Sequence, residues 1–239
     1  MKKRICAMAL TLALAAGGLS LASDLKMADG HILPLGNEVT LREADKSYVG
    51  KELQKEWNRE KVEKEILPAV KRMGLFGKGD ALHEKMMAEQ LGQLFEATRF
   101  SQLQMETKEA FHQAVVMSVK LEEKDIAGWN EIIRAMEKVH PEKIDILGEN
   151  RTLNLETIRE SMKKEDGHDR FVYKKDGQTE FIYGSIFLFA EQYGVETPFY
   201  VFFIAAADKG QFGVTAIYTN QATGRIMEPV LVKGAEGLR

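Results

Sequence analysis

The first half of the chain places single apolar residues among charged ones at intervals of three or four, which predicts amphipathic helices. Residues 51–65 are dense in charge, and the apolar positions from Val49 to Ile66 lie about four residues apart. This spacing predicts a helix that Pro68 interrupts, because proline lacks the amide hydrogen that a helical bond needs.

A glycine-rich loop predicts the start of a second helix. Residues 74–79 hold three glycines, and Asp80 follows them directly. An aspartate in this position predicts an N-cap, because its carboxylate can accept the free amide hydrogens of the first turn. The apolar spacing predicts that this helix buries Leu82, Met86 and Leu91.

A third helix, over residues 125–139, has the clearest apolar stripe in the chain. Asp125 is its predicted N-cap, and Pro141 is predicted to end it. Weaker patterns predict a short strand at 144–147 and a short helix at 155–163. The stripe of the third helix consists of Ile126, Trp129, Ile132, Ile133, Met136 and Val139.

Strand patterns also lie within this mostly helical half. A short strand is predicted at 38–41, after the turn residues 34–37. Longer strands are predicted at 93–103 and at 111–121, of which the second is rich in β-branched valine.

The last third of the chain is aromatic and predicts an antiparallel sheet. Of the 20 aromatic residues, 13 fall between Phe171 and Tyr218. Asp176-Gly177 predicts a tight hairpin turn, since both central residues of such a turn need a positive φ. A second hairpin is predicted to pair 199–207 with 212–219.

Two strands of this sheet are apolar at every position, namely 186–189 and 199–207. Such strands are predicted to be central, with both faces of the sheet covered. We expect the helix that contains Trp129 on one face. The N-terminal helices, or another molecule, are expected on the other.

The predicted fold is therefore α+β, with N-terminal helices packed on a mostly antiparallel sheet. Over residues 93–220 the order of strands and helix resembles the PsbP/Mog1-type α/β sandwich in topology, with no shared motif. The resemblance implies a strong C-terminal helix. Residues 220–239 depart from it, because they hold potential helix breakers, namely Gly224, Pro229, Gly234 and Gly237.

The first 22 residues predict a secretory signal peptide. A basic start, Lys2 to Arg4, precedes an apolar run and small residues that suggest cleavage before Ser23. The alternative is a membrane anchor, for which the apolar run is short. The mature chain, 23–239, is expected to be a single periplasmic or extracellular domain, helix-rich over 48–165 and an aromatic sheet over 170–220.

Composition narrows the chemistry. The single cysteine, Cys6, lies in the predicted leader, which excludes a disulfide, a thiolate zinc site or a cysteine nucleophile from the mature chain. The net charge is −3 with no basic block, so we expect no nucleic-acid partner. After the leader, no run reaches the length of a membrane span. No sequence motif predicts a bound cofactor.

Several short patterns lack a part that their chemistry requires. His83-Glu84 begins like a zinc-protease motif, but Met87 stands where the second histidine is needed. Residues 74–80 lack the spacing of a phosphate-binding loop. Ser185 lacks the following glycine of a nucleophile elbow.

The densest polar cluster occupies residues 165–170. His168 and Asp169 are the candidate catalytic residues, because an imidazole beside a carboxylate can act as an oriented general base. Glu165, Asp166 and Asp169 are the candidate metal ligands, because hard cations prefer carboxylate oxygens. A solvated turn explains the same run of residues.

The aromatic residues have two interpretations, core packing or a groove for an apolar ligand or a partner. The function expected from the sequence is a non-enzymatic exported module that binds a partner protein or an apolar small molecule. The alternatives are a small hydrolase or metal-dependent enzyme that uses 165–170, and a structural envelope protein. The sequence does not determine an oligomeric state.

Overall fold

A computed structural model gives the architecture of the chain. The residues that it describes are 24–43, 58–72, 74–139, 171–188, 199–208 and 210–238, with single residues at 52, 55 and 155. The predictions for 144–147 and 155–163 lie outside these ranges, except that Leu155 is helical and fully buried.

In the described part of the chain, nine strands form two antiparallel sheets, which confirms the predicted α+β class. β1 and β2 make a two-stranded hairpin, and the other seven strands form one sheet in the order β3-β4-β5-β9-β8-β7-β6. The strands are β1 Asp24–Lys26, β2 Ile32–Pro34, β3 Val39–Glu43, β4 Arg99–Glu106, β5 Phe111–Glu122, β6 Phe171–Asp176, β7 Thr179–Leu188, β8 Phe199–Asp208 and β9 Gln211–Asn220.

The helices lie between and after these strands. Those with described bounds are α1 Arg59–Lys61, α2 Leu67–Arg72, α3 Ala81–Ala97, α4 Glu123–Val139 and α5 Gln221–Glu236, and a π-helical segment, Val62–Ile66, joins α1 to α2.

The two faces of the large sheet have different covers. Side chains alternate along β8, so Tyr200, Phe202 and Ile204 face α5 and the β1–β2 hairpin, which pack on them as the main core. We call this the α5 face. Ala205 lies on the opposite face, in a smaller cluster with Ile126 of α4. The prediction that the 125–139 helix covers one face is thus confirmed, and we call that side the α4 face.

The C-terminal helix α5 contradicts the prediction that residues 220–239 lack one. Asn220 caps it by accepting a hydrogen bond from the Thr223 amide (2.9 Å). A Cβ on Gly224 would lie 2.1 Å from Cγ of Tyr200, and one on Gly234 would lie 2.5 Å from the Pro34 carbonyl oxygen. These glycines therefore serve close packing, and α5 with the hairpin takes the place that was predicted for the N-terminal helices.

The first helical region does not stop at Pro68, contrary to the prediction. The π-helical segment ends where the Leu67 amide donates to the Val62 carbonyl, five residues back, and α2 continues through Pro68. The wider π turn changes the bonding register immediately before the proline, where an ordinary helical hydrogen bond is missing.

Helix α3 is capped as predicted but is longer than expected. Asp80 accepts from the His83 amide (3.4 Å), and the helix extends to Ala97, so the predicted strand 93–103 begins only at Arg99. The predicted buried stripe was also wrong, since Leu82 is 63% exposed and the buried residues include Met87 and Phe95. The face that α3 buries is set by its neighbours α4, α1, the π-helical segment and β5, which apolar spacing alone does not reveal.

Smaller corrections concern turns and caps. Asp176 pairs with Thr179, so the central residues of that turn are Gly177 and Gln178, and Gly177 supplies the positive φ of 61°. Helix α4 begins at Glu123, and Asp125 accepts from the Glu122 amide (2.9 Å) from inside the first turn. The predicted 199–207 and 212–219 hairpin is confirmed as β8 and β9.

Candidate functional site

The predicted polar cluster is not among the residues that the structure describes. The cluster lies between Val139 and Phe171, a stretch in which the structure describes Leu155 alone. The residues that it does not describe include Glu165, Asp166, His168 and Asp169. Their candidate catalytic and metal-binding roles stay predictions.

Two residues discussed from the sequence have structural surroundings. Nδ1 of His83 lies 2.7 Å from Oδ1 of Asp80, so this histidine takes part in the cap of α3. Ser185 is a buried residue of β7, next to the Tyr200 hydroxyl.

The Tyr200 hydroxyl joins α5 to the sheet. Burial raises the pKa of Tyr200, the nearby Glu228 carboxylate of α5 raises it further, and the neighbouring Ser185 lowers it. The phenol therefore stays protonated throughout the neutral range and serves as a neutral contact between helix and sheet.

Sequence reasoning missed an oriented histidine at the tip of the β1–β2 hairpin. Nδ1 of His31 lies 3.0 Å from Oδ2 of Asp29, and the His31 amide donates to Oδ1 (3.1 Å). The His31 ring meets the edge of Phe181 at a centroid distance of 5.0 Å. In the sequence, Asp29-Gly30 lies between two apolar runs, a pattern that predicts a hairpin turn. This pattern could have placed His31 at the tip of a hairpin.

The carboxylate of Asp29 is seated on the sheet above Gly213. A Cβ on Gly213 would lie 1.8 Å from Oδ2 of Asp29, so glycine leaves the space that this carboxylate fills. The Ala28 amide donates to Oγ of Ser118 on β5 (2.8 Å), whereas the Phe181 beneath His31 is on β7. Oγ of Ser118 also lies 2.7 Å from Oγ1 of Thr215, so this hydroxyl takes part in docking the hairpin on the sheet.

A second feature lies on the α4 face, toward the end of the sheet where β4 turns into β5. Val115 of β5 pairs with Tyr218 of β9, which pairs with Val201 of β8. The side chains of such directly paired residues share one face. We define the amide–aromatic patch as these three residues together with Phe111, Gln113 and Phe199.

The patch combines stacked rings with amide groups. The rings of Phe199 and Tyr218 stack at a centroid distance of 4.9 Å and an angle of 28°, and both are half-buried. Phe111 at the end of β5 is 52% exposed. The six residues carry no charged side chain; their polar groups are one amide and one phenol hydroxyl, and Glu106 pairs with Phe111 beside them.

The amide of Gln113 is hydrogen-bonded on its oxygen side. Nε2 of Gln102 donates to Oε1 of Gln113 (3.1 Å), and Gln102 is only 6% exposed. Nε2 of Gln113 therefore points away from Gln102, and it is buried without a hydrogen-bond partner among the described residues. An unsatisfied buried donor is costly, so the position favours an acceptor.

Within the described part of the chain, no three His, Cys, Asp or Glu side chains converge to hold a metal ion. No helix in the same ranges is long and apolar enough to cross a membrane. Comparison with known proteins adds no assignment: no family model matches, and no curated protein or solved structure is significantly similar. The resemblance to the PsbP/Mog1 sandwich stays a prediction from the sequence and assigns no function.

Proposed function

We propose that this protein is an exported, non-enzymatic module that binds an apolar small molecule or a partner protein through the amide–aromatic patch. The observation that carries the proposal is the patch itself: half-buried stacked rings, an exposed Phe111 and an amide donor with no hydrogen-bond partner among the described residues, all on one face. Binding sites for organic molecules combine apolar and aromatic surface with a few oriented polar groups in this way.

Export rests on the sequence of the first 22 residues, and the fold is compatible with their removal. β1 begins at Asp24, so cleavage before Ser23 would leave the whole hairpin in the mature chain. Leu25, near the new end, is 2% exposed. We propose a periplasmic or extracellular location for the mature protein.

Native mass spectrometry of the mature chain, isolated from the periplasm or medium without added ligand, tests the proposal. We expect a species of added mass that dissociates on collisional activation. Tyr218→Ala is expected to abolish it, because the variant removes one stacked ring from the patch. Val172→Ser, an exposed valine on the α5 face of β6, is the matched control and is expected to keep it.

Bare monomer from both the wild type and the control, together with no partner after cross-linking in the producing cells, would overturn the proposal. That result would leave the structural envelope role. Hydrolysis or metal dependence that is lost in His168→Ala would instead establish the enzyme alternative that the 165–170 cluster suggests.

A further inference from the structure

We infer that the amide–aromatic patch takes an uncharged, planar molecule that bears a carbonyl oxygen next to its ring. This inference rests on the proposed function and names the chemical class of the ligand. It follows from three properties of the patch: its shape, its lack of charge and its single unsatisfied donor.

The shape of the patch favours a flat ligand. A β-sheet face offers a shallow surface, and the row Val115, Tyr218, Val201 crosses three neighbouring strands, about 10 Å from the first to the last. The Phe199 and Tyr218 rings lie nearly parallel to each other, at 28°. A third ring can extend such a stack in an offset arrangement, which is a preferred geometry for aromatic pairs.

The charges at the patch disfavour anionic ligands. The six patch residues are uncharged, and the adjoining Gln102 is an amide. Glu106 of β4 pairs with Phe111 and adds a carboxylate beside the patch. A carboxylate or phosphate ligand would lose its hydration here with no opposite charge in return, which is strongly unfavourable. Neutral polar groups are compatible, because an amide supplies hydrogen bonds without charge.

The unsatisfied donor selects an acceptor atom. Gln113 Nε2 is buried, and its neighbour Gln102 already occupies the carbonyl side of the same amide. Gln113 belongs to the same patch as the stacked rings, with Val115 next to it on that face of β5 and Tyr218 paired with Val115. A carbonyl oxygen attached to a stacked ring is therefore suited to accept the hydrogen of Gln113, after a small outward movement of this side chain exposes the donor.

The test compares two probes that differ in the carbonyl group, 2-acetylnaphthalene and 2-ethylnaphthalene, by fluorescence titration of the mature protein. We expect the wild type to bind 2-acetylnaphthalene about tenfold more tightly, the effect of one net hydrogen bond. Gln113→Leu is expected to remove this preference while the ethyl probe still binds. Val172→Ser, on the opposite face of the sheet, is the control and is expected to retain it.

The outcomes separate this inference from the proposed function. Equal binding of the two probes, with loss of both in Tyr218→Ala, would overturn the carbonyl assignment but support an apolar binding site. Failure of both probes with wild-type protein would overturn the ligand class, and the mass-spectrometric test would then decide the proposed function by itself. A carbonyl preference that persists in Gln113→Leu would also overturn the inference, because another donor would have to supply it.

Discussion

At the scale of single residues, several glycines in this protein mark places where another group occupies the space of a side chain. Gly213 is the clearest case, because the buried Asp29 carboxylate fills the position of its missing Cβ. We expect Gly213→Ala to lower the free energy of unfolding by about 1–3 kcal/mol, since Asp29 must move away from its seat and from His31. Urea unfolding measures the change.

The control for this prediction is Asp29→Asn, which keeps the size of the side chain and can still accept from the His31 amide. It is expected to cost less than Gly213→Ala. An alanine at 213 that leaves the urea midpoint unchanged would show that Asp29 has room to relocate, and the seat on the sheet would then have no energetic importance.

Tyr200 gives a prediction about pH. Its pKa in the folded protein is raised above the ordinary value of 10.0. At a pH between the pKa of the unfolded chain and the higher pKa of the folded protein, Tyr200 is deprotonated in the unfolded chain and protonated in the folded one. The contribution of Tyr200 to the free energy of unfolding is therefore fully present below pH 10 and falls as the pH rises above 10. The slope from this residue is about 1.4 kcal/mol per pH unit.

We expect Tyr200→Phe to make the stability profile above pH 10 less steep than that of the wild type. Burial also raises the pKa of Tyr183, so part of the slope should persist in the variant. Urea unfolding at intervals between pH 8 and 11 provides the comparison. Identical slopes in the two proteins would mean that Tyr200 ionises as easily in the folded state as in the unfolded one.

At the scale of elements, α5 shows where sequence patterns fail. Its glycines and Pro229 are residues that usually interrupt a helix. In the structure, however, Gly224 and Gly234 allow the helix to approach Tyr200 and the hairpin closely. Helix α4 was predictable because its apolar residues repeat at helical spacing against one sheet. The close approach of α5 depends on residues distant in the chain, and no local pattern contains that information.

A paired substitution tests this account of α5. Gly224→Ala raises helix propensity by about 1 kcal/mol, but its Cβ would lie 2.1 Å from Cγ of the buried Tyr200 ring. We expect the clash to prevail and the variant to lose about 2–4 kcal/mol of stability.

Gly128→Ala in α4 is the matched control for Gly224→Ala. Its Cβ meets only the flexible Gln90 side chain, with Nε2 as the nearest atom at 2.5 Å, so a neutral or slightly stabilising effect is expected. Thermal unfolding of the two variants is the measurement. Equal stability of both would contradict the close-packing role of Gly224.

At the scale of the whole molecule, the fold class could be predicted because strand and helix patterns are local. The amide–aromatic patch could not, since it needs the order β5-β9-β8, which joins residues more than 80 positions apart. Asp29 and His31 lie two residues apart in the chain, but the packing of the Asp29 carboxylate over Gly213 likewise depends on how the hairpin docks on the sheet. Local sequence patterns thus predict the helices and strands, whereas the positions of the patch and of Asp29 depend on the order of the strands in the sheet.

The hairpin also contributes a large share of the buried apolar core. It buries four large apolar side chains against α5 and the sheet, those of Leu25, Met27, Leu33 and Leu35. At about 1.5–3 kcal/mol for each side chain, they contribute roughly 6–12 kcal/mol. That is comparable to the total stability of an ordinary domain, about 5–15 kcal/mol.

We therefore expect a chain that starts at Gly36 to fail to fold cooperatively, whereas one that starts at Ser23 unfolds in a single transition. Circular dichroism and urea unfolding of the two proteins test this. The single substitution Leu33→Ala is the milder companion, with an expected loss of about 2–5 kcal/mol. If the shortened chain kept a sharp transition near the midpoint of the longer one, the hairpin would be an accessory, and α5 and the sheet would form a sufficient core without it.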